Sequence, residues 1–245
     1  MKYILVLMFT LNVLSTLGQK DTLFIYGPGG PLGPIKESGE LFSKQTGIPV
    51  KVTAGPEDKW IEDAKENADL IFGGAEYMLT SFSMKHKGIV DSNTRVSLYK
   101  RAAGILVRPG NPKNIRSLKD LTKPGIKLID VNGAGQFGMW EDLAGKQNLI
   151  GSIQKNIVKS YANTAEAIEA WKTETVYDAW IIYASWHYRL KDFTQLIKIP
   201  ASATVCRGTP IAITTLSDQK DDAKKFISFM QTSSVHAIFK KWGWE

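Results

Sequence analysis

The chain has one cysteine, Cys206, among 245 residues, so no disulfide can form within it. It must hold itself together by burying apolar surface, and it is long enough to do so as one large or two smaller domains. Histidine is also scarce. His86, His187 and His236 stand far apart, with no HExxH or His-x-His spacing, and Cys206 has no partner at zinc spacing. No metal site and no cofactor are expected. A Gly-x-Ser-x-Gly elbow and a P-loop are missing too, so no catalytic residue is assigned and an enzyme is not the expectation. Runs of like charge are absent. The formal net charge is +7, from 31 Lys and Arg against 24 Asp and Glu, but the cations are scattered. That argues against a nucleic-acid-binding arm and leaves a solvated basic surface or attraction of a small anion.

The body of the chain lacks long apolar runs. The one at the N-terminus, Tyr3 to Leu14, is too short to span a membrane, which takes about 20 residues. It follows the positive Lys2 and precedes Thr16-Leu17-Gly18, the order of parts in an export signal. Cleavage is expected after Gly18. The mature chain then loses only the charge of Lys2, from +7 to +6, has no membrane span and resides in the periplasm.

Glycine is where the sequence is most informative. In Thr22-Leu23-Phe24-Ile25-Tyr26-Gly27-Pro28-Gly29-Gly30-Pro31 an apolar strand runs into a glycine-proline loop, with a helical pattern beyond it. Such a loop frees backbone N–H groups and aims them, with a helix N-terminus behind, at whatever lies above the strand end, which suits an anion.

Strands and helices alternate after that loop. Pro34 to Gln45 reads as a helix, Ile48 to Ala54 as a half-buried strand, Glu57 to Asn67 as a helix and Asp69 to Phe72 as a strand. A second αβ unit follows: strand 126–131, helix from about Phe137 to Lys146, strand 156–160, helix from Thr164 as N-cap to Trp171, and strand 178–183. Two apolar segments read as crossings between lobes, Ala102 to Arg108 and Val205 to Thr215. They divide the chain into lobe 1 (19–101 with 208–245) and lobe 2 (102–207), the helices 219–230 and 235–240 returning to lobe 1.

The loops Gly27 to Pro31, Gly73 to Glu76 and Gly133 to Gln136 all follow strand C-termini, where open parallel sheets bind ligands. Alone, each is equally an ordinary turn; together they line one cleft if the lobes face each other. Arg101 and Arg207 stand at the starts of the two crossings and suit a carboxylate, phosphate or sulfate-like group, though either also reads as a surface arginine. Tyr183 and Trp186, just after a strand, are placed to close over a ligand. The candidate ligand-binding residues are Gly29, Gly30, Gly74, Ala75, Arg101, Gly135, Gln136, Tyr183 and Arg207.

Leu23 to Pro31, Ala68-Asp69-Leu70-Ile71-Phe72-Gly73, Arg101 to Pro112, Gly133-Ala134-Gly135 through Trp140-Glu141-Asp142, Asp178-Ala179-Trp180 and Ile238 to Trp244 occur in an order that resembles the accessory colonization factor and major cell-binding antigen branch of the class II periplasmic solute-binding proteins, relatives of the molybdate and sulfate binders. The resemblance covers nearly the whole mature chain. It implies a two-lobed, type II Venus-flytrap α/β fold, each lobe a mostly parallel sheet flanked by helices, closing on an organic acid, a phosphorylated organic acid or a tetrahedral oxyanion. It implies delivery to an ABC-type permease, with a second copy of the chain as another partner; the alternative is an adhesin of the same fold without transport. There is one departure. In that branch the loop after Gly-Ala-Gly is longer and carries lysine, serine and threonine, whereas here Gln136-Phe137-Gly138-Met139 leads directly into Trp140. A smaller or less charged anion is expected.

Overall fold

A computed structural model describes residues 21–245; the expected export segment, with its cleavage point, lies outside them. The elements run β1 (Leu23–Gly27), α1 (Leu32–Thr46), β2 (Val50–Ala54), α2 (Ile61–Asn67), β3 (Leu70–Phe72), α3 (Glu76–Lys85), β4 (Val96–Val107), β5 (Leu128–Val131), α4 (Met139–Gly145), α5 (Ile150–Gln154), β6 (Ile157–Tyr161), α6 (Thr164–Thr173), β7 (Ala179–Tyr183), α7 (Ser185–Arg189), β8 (Gln195–Lys198), β9 (Cys206–Ile213), α8 (Lys220–Met230) and α9 (Ser233–Lys241). The strand order is β2-β1-β3-β9-β4-β7-β5-β6, with β8 added on β4.

Each half of this order has the same logic. β2, β1 and β3 are parallel neighbours, and so are β6, β5 and β7. Parallel strands need a crossover, and helices α1, α2, α4, α5 and α6 supply it. β4 and β9 join the halves. β4 pairs antiparallel with β9 from Val96 to Ala102, then with β7 and β8 from Ala103 or Gly104 to Val107. One continuous strand therefore passes from one half of the sheet to the other between Ala102 and Ala103. The buried apolar side chains follow this division. One cluster is drawn from residues 103–190, and the others from 23–98 and 211–244.

Local chemistry accounts for the element ends. α1 has Pro34 in its first turn, where a missing N–H costs nothing. It stops at Gly47, whose left-handed φ of 70° lets its N–H return to the Ser43 carbonyl. β1, β3, β5 and β7 are buried on both faces, which explains their near-continuous apolar runs.

Some expected boundaries move. The helix expected over Glu57 to Asn67 breaks at Trp60, whose φ of −140° is not helical; a single 3-10 turn precedes it. Thr164 is not the N-cap of α6. Asn163 is, extended at φ −146° and accepting from the Glu166 N–H. The helix expected from Phe137 is shorter, Met139–Gly145, after a 3-10 turn at Ala134–Gln136. The first crossing strand starts earlier, at Val96 rather than Ala102, so Arg101 lies inside it. Polar Ser97 and Lys100 on its half-buried stretch hide that start in the sequence. α3, α5, α7 and β8 were not expected at all.

Gly133 follows β5 at an extended φ, so its backbone is unstrained. A Cβ there would nonetheless sit 2.4 Å from the Ala162 carbonyl oxygen beyond β6. Gly133→Ala is expected to cost about 1–3 kcal/mol by overpacking, read as a lower urea midpoint at unchanged slope. An unchanged midpoint contradicts this packing of the two loops.

Candidate functional site

β1, β3 and β5 end in the three glycine loops, which meet around a cavity of about 430 Å³. Gly29, Gly30, Gly74 and Gly135 all line it. The halves approach closely here: a Cβ on Gly135 would lie 3.2 Å from the Gly74 carbonyl oxygen. Three helices begin at this cavity. α1 starts after Gly29-Gly30-Pro31 and α3 after Gly73-Gly74-Ala75, and neither has a side-chain cap. The α6 residues Thr164 and Ala165, with the N-cap Asn163, are part of the lining. Helix N-termini carry positive partial charge and orphan N–H groups, so the wall is electropositive before any side chain is counted.

Arg101 adds a full charge. It is 2% exposed, on the stretch of β4 just before the crossing. Its Nη2 donates to the Gly74 carbonyl oxygen, and its Nε is buried without a partner. Among the described residues no carboxylate pairs with it. The guanidinium lies over the Tyr183 ring at 4.0 Å and faces the Trp244 ring at 5.1 Å. Burial, and to a lesser extent Arg207, pushes its pKa down to about 10, with Tyr183, Glu76 and Tyr77 acting the other way, so it stays a cation at neutral pH. Glu76 is engaged elsewhere, accepting from the Gly208 N–H and the Ser97 hydroxyl. The Tyr183 hydroxyl donates to the Gly135 carbonyl oxygen at 2.5 Å. Burial raises its pKa, against the nearby arginines, so it remains a neutral donor.

A glycine-lined cavity between two halves of an α/β sheet, electropositive and held by crossing strands, is the architecture of a solute trap. The sequence model of a family described as bacterial extracellular solute-binding protein matches residues 23–245. The chain belongs to that family. Among solved structures it is similar to L-phospholactate-bound PEB3, at 28% identity and TM-score 0.84, covering 91% of this chain and 99% of that one. PEB3 from Campylobacter jejuni matches at 29% identity and TM-score 0.82, with the same coverage. The sulfate-binding protein SubI from Mycobacterium tuberculosis H37Rv shares the fold, at 21% identity, TM-score 0.72 and coverage of 92% and 86%. No curated protein sequence matches. The two-lobed fold and the solute-binding family expected from the sequence are therefore both present.

In this solute-binding protein the cavity gathers Gly29, Gly30, Gly74, Arg101, Gly135, Gln136 and Tyr183. Gln136 donates to the Thr164 hydroxyl at 2.7 Å and keeps its buried Oε1 unpartnered. Ala75 and Arg207 do not line it. Ala75 is fully buried as the N-cap of α3. Arg207 is the register partner of Arg101 on β9, but its guanidinium has different partners. Arg207 donates to the Phe137 carbonyl oxygen at 2.9 Å and pairs with Asp142 at 3.0 Å, bridging β9 to the other half. The Phe137 N–H donates to the Tyr77 hydroxyl at 3.2 Å beside it. Arg189 was missed from the sequence. It lines the rim, donates to the Gly29 carbonyl oxygen at 3.2 Å and faces the Trp186 ring at 4.7 Å. Its spacing of three from Trp186 on α7 was the available signal, hidden because that short helix was not expected.

Arg101→Met in the ligand-free protein is expected to unfold within about 1 kcal/mol of the parent, or later. The lost ring contacts, about 0.5–2 kcal/mol each, are offset by relief of an unpaired ion whose burial costs several kcal/mol. A loss above about 3 kcal/mol in chemical denaturation assigns Arg101 a structural role instead.

Proposed function

We propose that this protein captures a small anion in the cavity between its halves and delivers it to an ABC-type permease. The observation that carries this reading is Arg101, a cation 2% exposed with no carboxylate partner among the described residues, set where three helix N-termini converge. A buried charge without a counter-ion is costly, and an anionic solute offsets that cost on entry. The ligands named for the similar structures, phospholactate and sulfate, are anions and support the same class. On this reading the chain acts in the periplasm after cleavage behind Gly18 and carries out no turnover. Residues 19–101 with 208–245 move as one lobe and 102–207 as the other. The hinge lies where β4 and β9 cross, and Arg207, with Asp142 and Phe137, latches the closed form. A permease distinguishes closed from open, and a second copy of the chain is the other expected partner.

Isothermal calorimetry against carboxylates, phosphorylated acids and oxyanions tests the reading, on protein unfolded and refolded to strip carried-over solute. Arg101→Met is expected to weaken the anion that binds by about 2–5 kcal/mol. Absence of binding by every anion to folded protein overturns the proposal, as does undiminished binding by Arg101→Met. Arg207→Ala is expected to cost only about 1 kcal/mol, since its ion pair is partly solvated, and to act by speeding ligand release. Solution scattering should show a smaller radius of gyration with saturating ligand. An unchanged radius contradicts hinge closure.

A further inference from the structure

The cavity has a second character that its electropositive wall does not explain. Beyond Arg101 and the glycine loops it is walled by Trp60, Ile71, Met78, Leu79 and Phe82 from one half and Ile168 from the other. Trp60, Ile71, Leu79 and Phe82 belong to a single buried apolar cluster. Trp60 stacks on Phe82 at 5.8 Å and contacts Tyr26 at 6.0 Å. The one polar atom of the Trp60 ring, Nε1, already donates to the Gly55 carbonyl oxygen at 3.2 Å, so the ring offers only its faces and edges.

The polar side chains of the lining are mostly engaged as well. Asn163 caps α6 through its Oδ1 and donates to Glu166 through its Nδ2. The Thr164 hydroxyl accepts from Gln136. Glu57, the acidic residue of the wall, is paired with Lys85 at 2.6 Å and His86 at 2.9 Å. Arg189 is exposed at the rim. What remains for a ligand is one buried guanidinium, a second, Arg189, at the rim, the amides of the helix starts, one acceptor at Gln136 Oε1, and a hydrocarbon wall.

We infer that the solute is an organic acid with a single anionic group and an apolar body, the anion on Arg101 and the body against Trp60, Met78, Leu79, Phe82 and Ile168. This rests on the anion-binding reading and narrows it. A tetrahedral oxyanion reaches only the electropositive end. The volume of about 430 Å³ falls in the range of sites that enclose a whole organic ligand. A polyhydroxylated or doubly charged acid would bury hydroxyls or charge against side chains that can neither donate nor accept. An aromatic or branched aliphatic body gains by leaving water, and Met78 adds a polarizable sulfur that packs well on rings.

The test is calorimetry on the stripped full-length mature chain with 3-phenylpropionate, acetate, sulfate, L-phospholactate and the neutral 3-phenylpropionamide. 3-Phenylpropionate is expected to bind at least 100-fold more tightly than acetate, and at least 10-fold more tightly than sulfate or L-phospholactate. The amide is expected to lose at least 100-fold. Met78→Gln and Ile168→Asn, at half-buried positions, are expected to lower 3-phenylpropionate affinity about 10-fold with little change in melting temperature. If sulfate or L-phospholactate binds as tightly as 3-phenylpropionate or more so, the apolar body is wrong while the anion reading stands. If the amide matches the acid, or no probe binds, both fail. Undiminished affinity in folded Met78→Gln and Ile168→Asn overturns the placement of the body.

Discussion

Arg101 is the constraint around which the site is arranged. A guanidinium held almost out of water, without a carboxylate partner among the described residues, is tolerated only where its surroundings are already organised. The Gly74 carbonyl takes one donor, and the rings of Tyr183 and Trp244 take its faces. Tyr183 is fixed in turn by its hydrogen bond to Gly135, and Trp244 by one from its indole N–H to the Thr209 hydroxyl. The loops of both halves and the C-terminal segment thus converge on one side chain. The glycines follow from this crowding. A Cβ on Gly30 would lie 3.1 Å from Arg101 Nη1, and one on Gly74 would lie 3.5 Å from its Nη2.

The crossing strands explain why the charge sits where it does. β4 belongs to both halves of the sheet, and Arg101 is the residue before the changeover at Ala102 and Ala103. A side chain there is within reach of loops from either half. Arg207, directly opposite on β9, faces the same side but turns outward to Asp142 and Phe137. The two arginines thus differ in surroundings: one lines the cavity, and the other ties β9 to the other half across an ion pair partly open to water, of a kind worth little in stability.

The sequence was readable wherever a pattern is local. Apolar runs ending in glycine located β1, β3 and β5, and three of the segments that carried the family resemblance lie on those strands and their loops, the others on β4, β7 and α9. Reading failed where burial is one-sided or elements are short. The first half of β4 carries polar Ser97 and Lys100, which hide the start of the strand, so the apolar pattern begins only at Ala102. α7 has only five residues, so Arg189 passed unnoticed although it reaches the cavity rim. The N-cap of α6 was misplaced by one residue because Asn163 and Thr164 are both good caps, and only backbone geometry separates them.

The chain by itself determined the alternation of strands and helices, the glycine loops, the absence of metal and disulfide chemistry in its motifs, and the presence of two arginines near the crossings. These depend on residue type and spacing along a few turns of chain. The tertiary structure alone decided which arginine enters the cavity, because in-register partners on neighbouring strands start on one face and are separated only by what each finds beyond it. It alone decided that Trp60, Leu79 and Phe82, which read as ordinary core residues, also wall the cavity opposite Ile168. Apolar side chains carry no directional signal in sequence. Whether they face a core or a ligand is settled by where the other half of the molecule comes to lie.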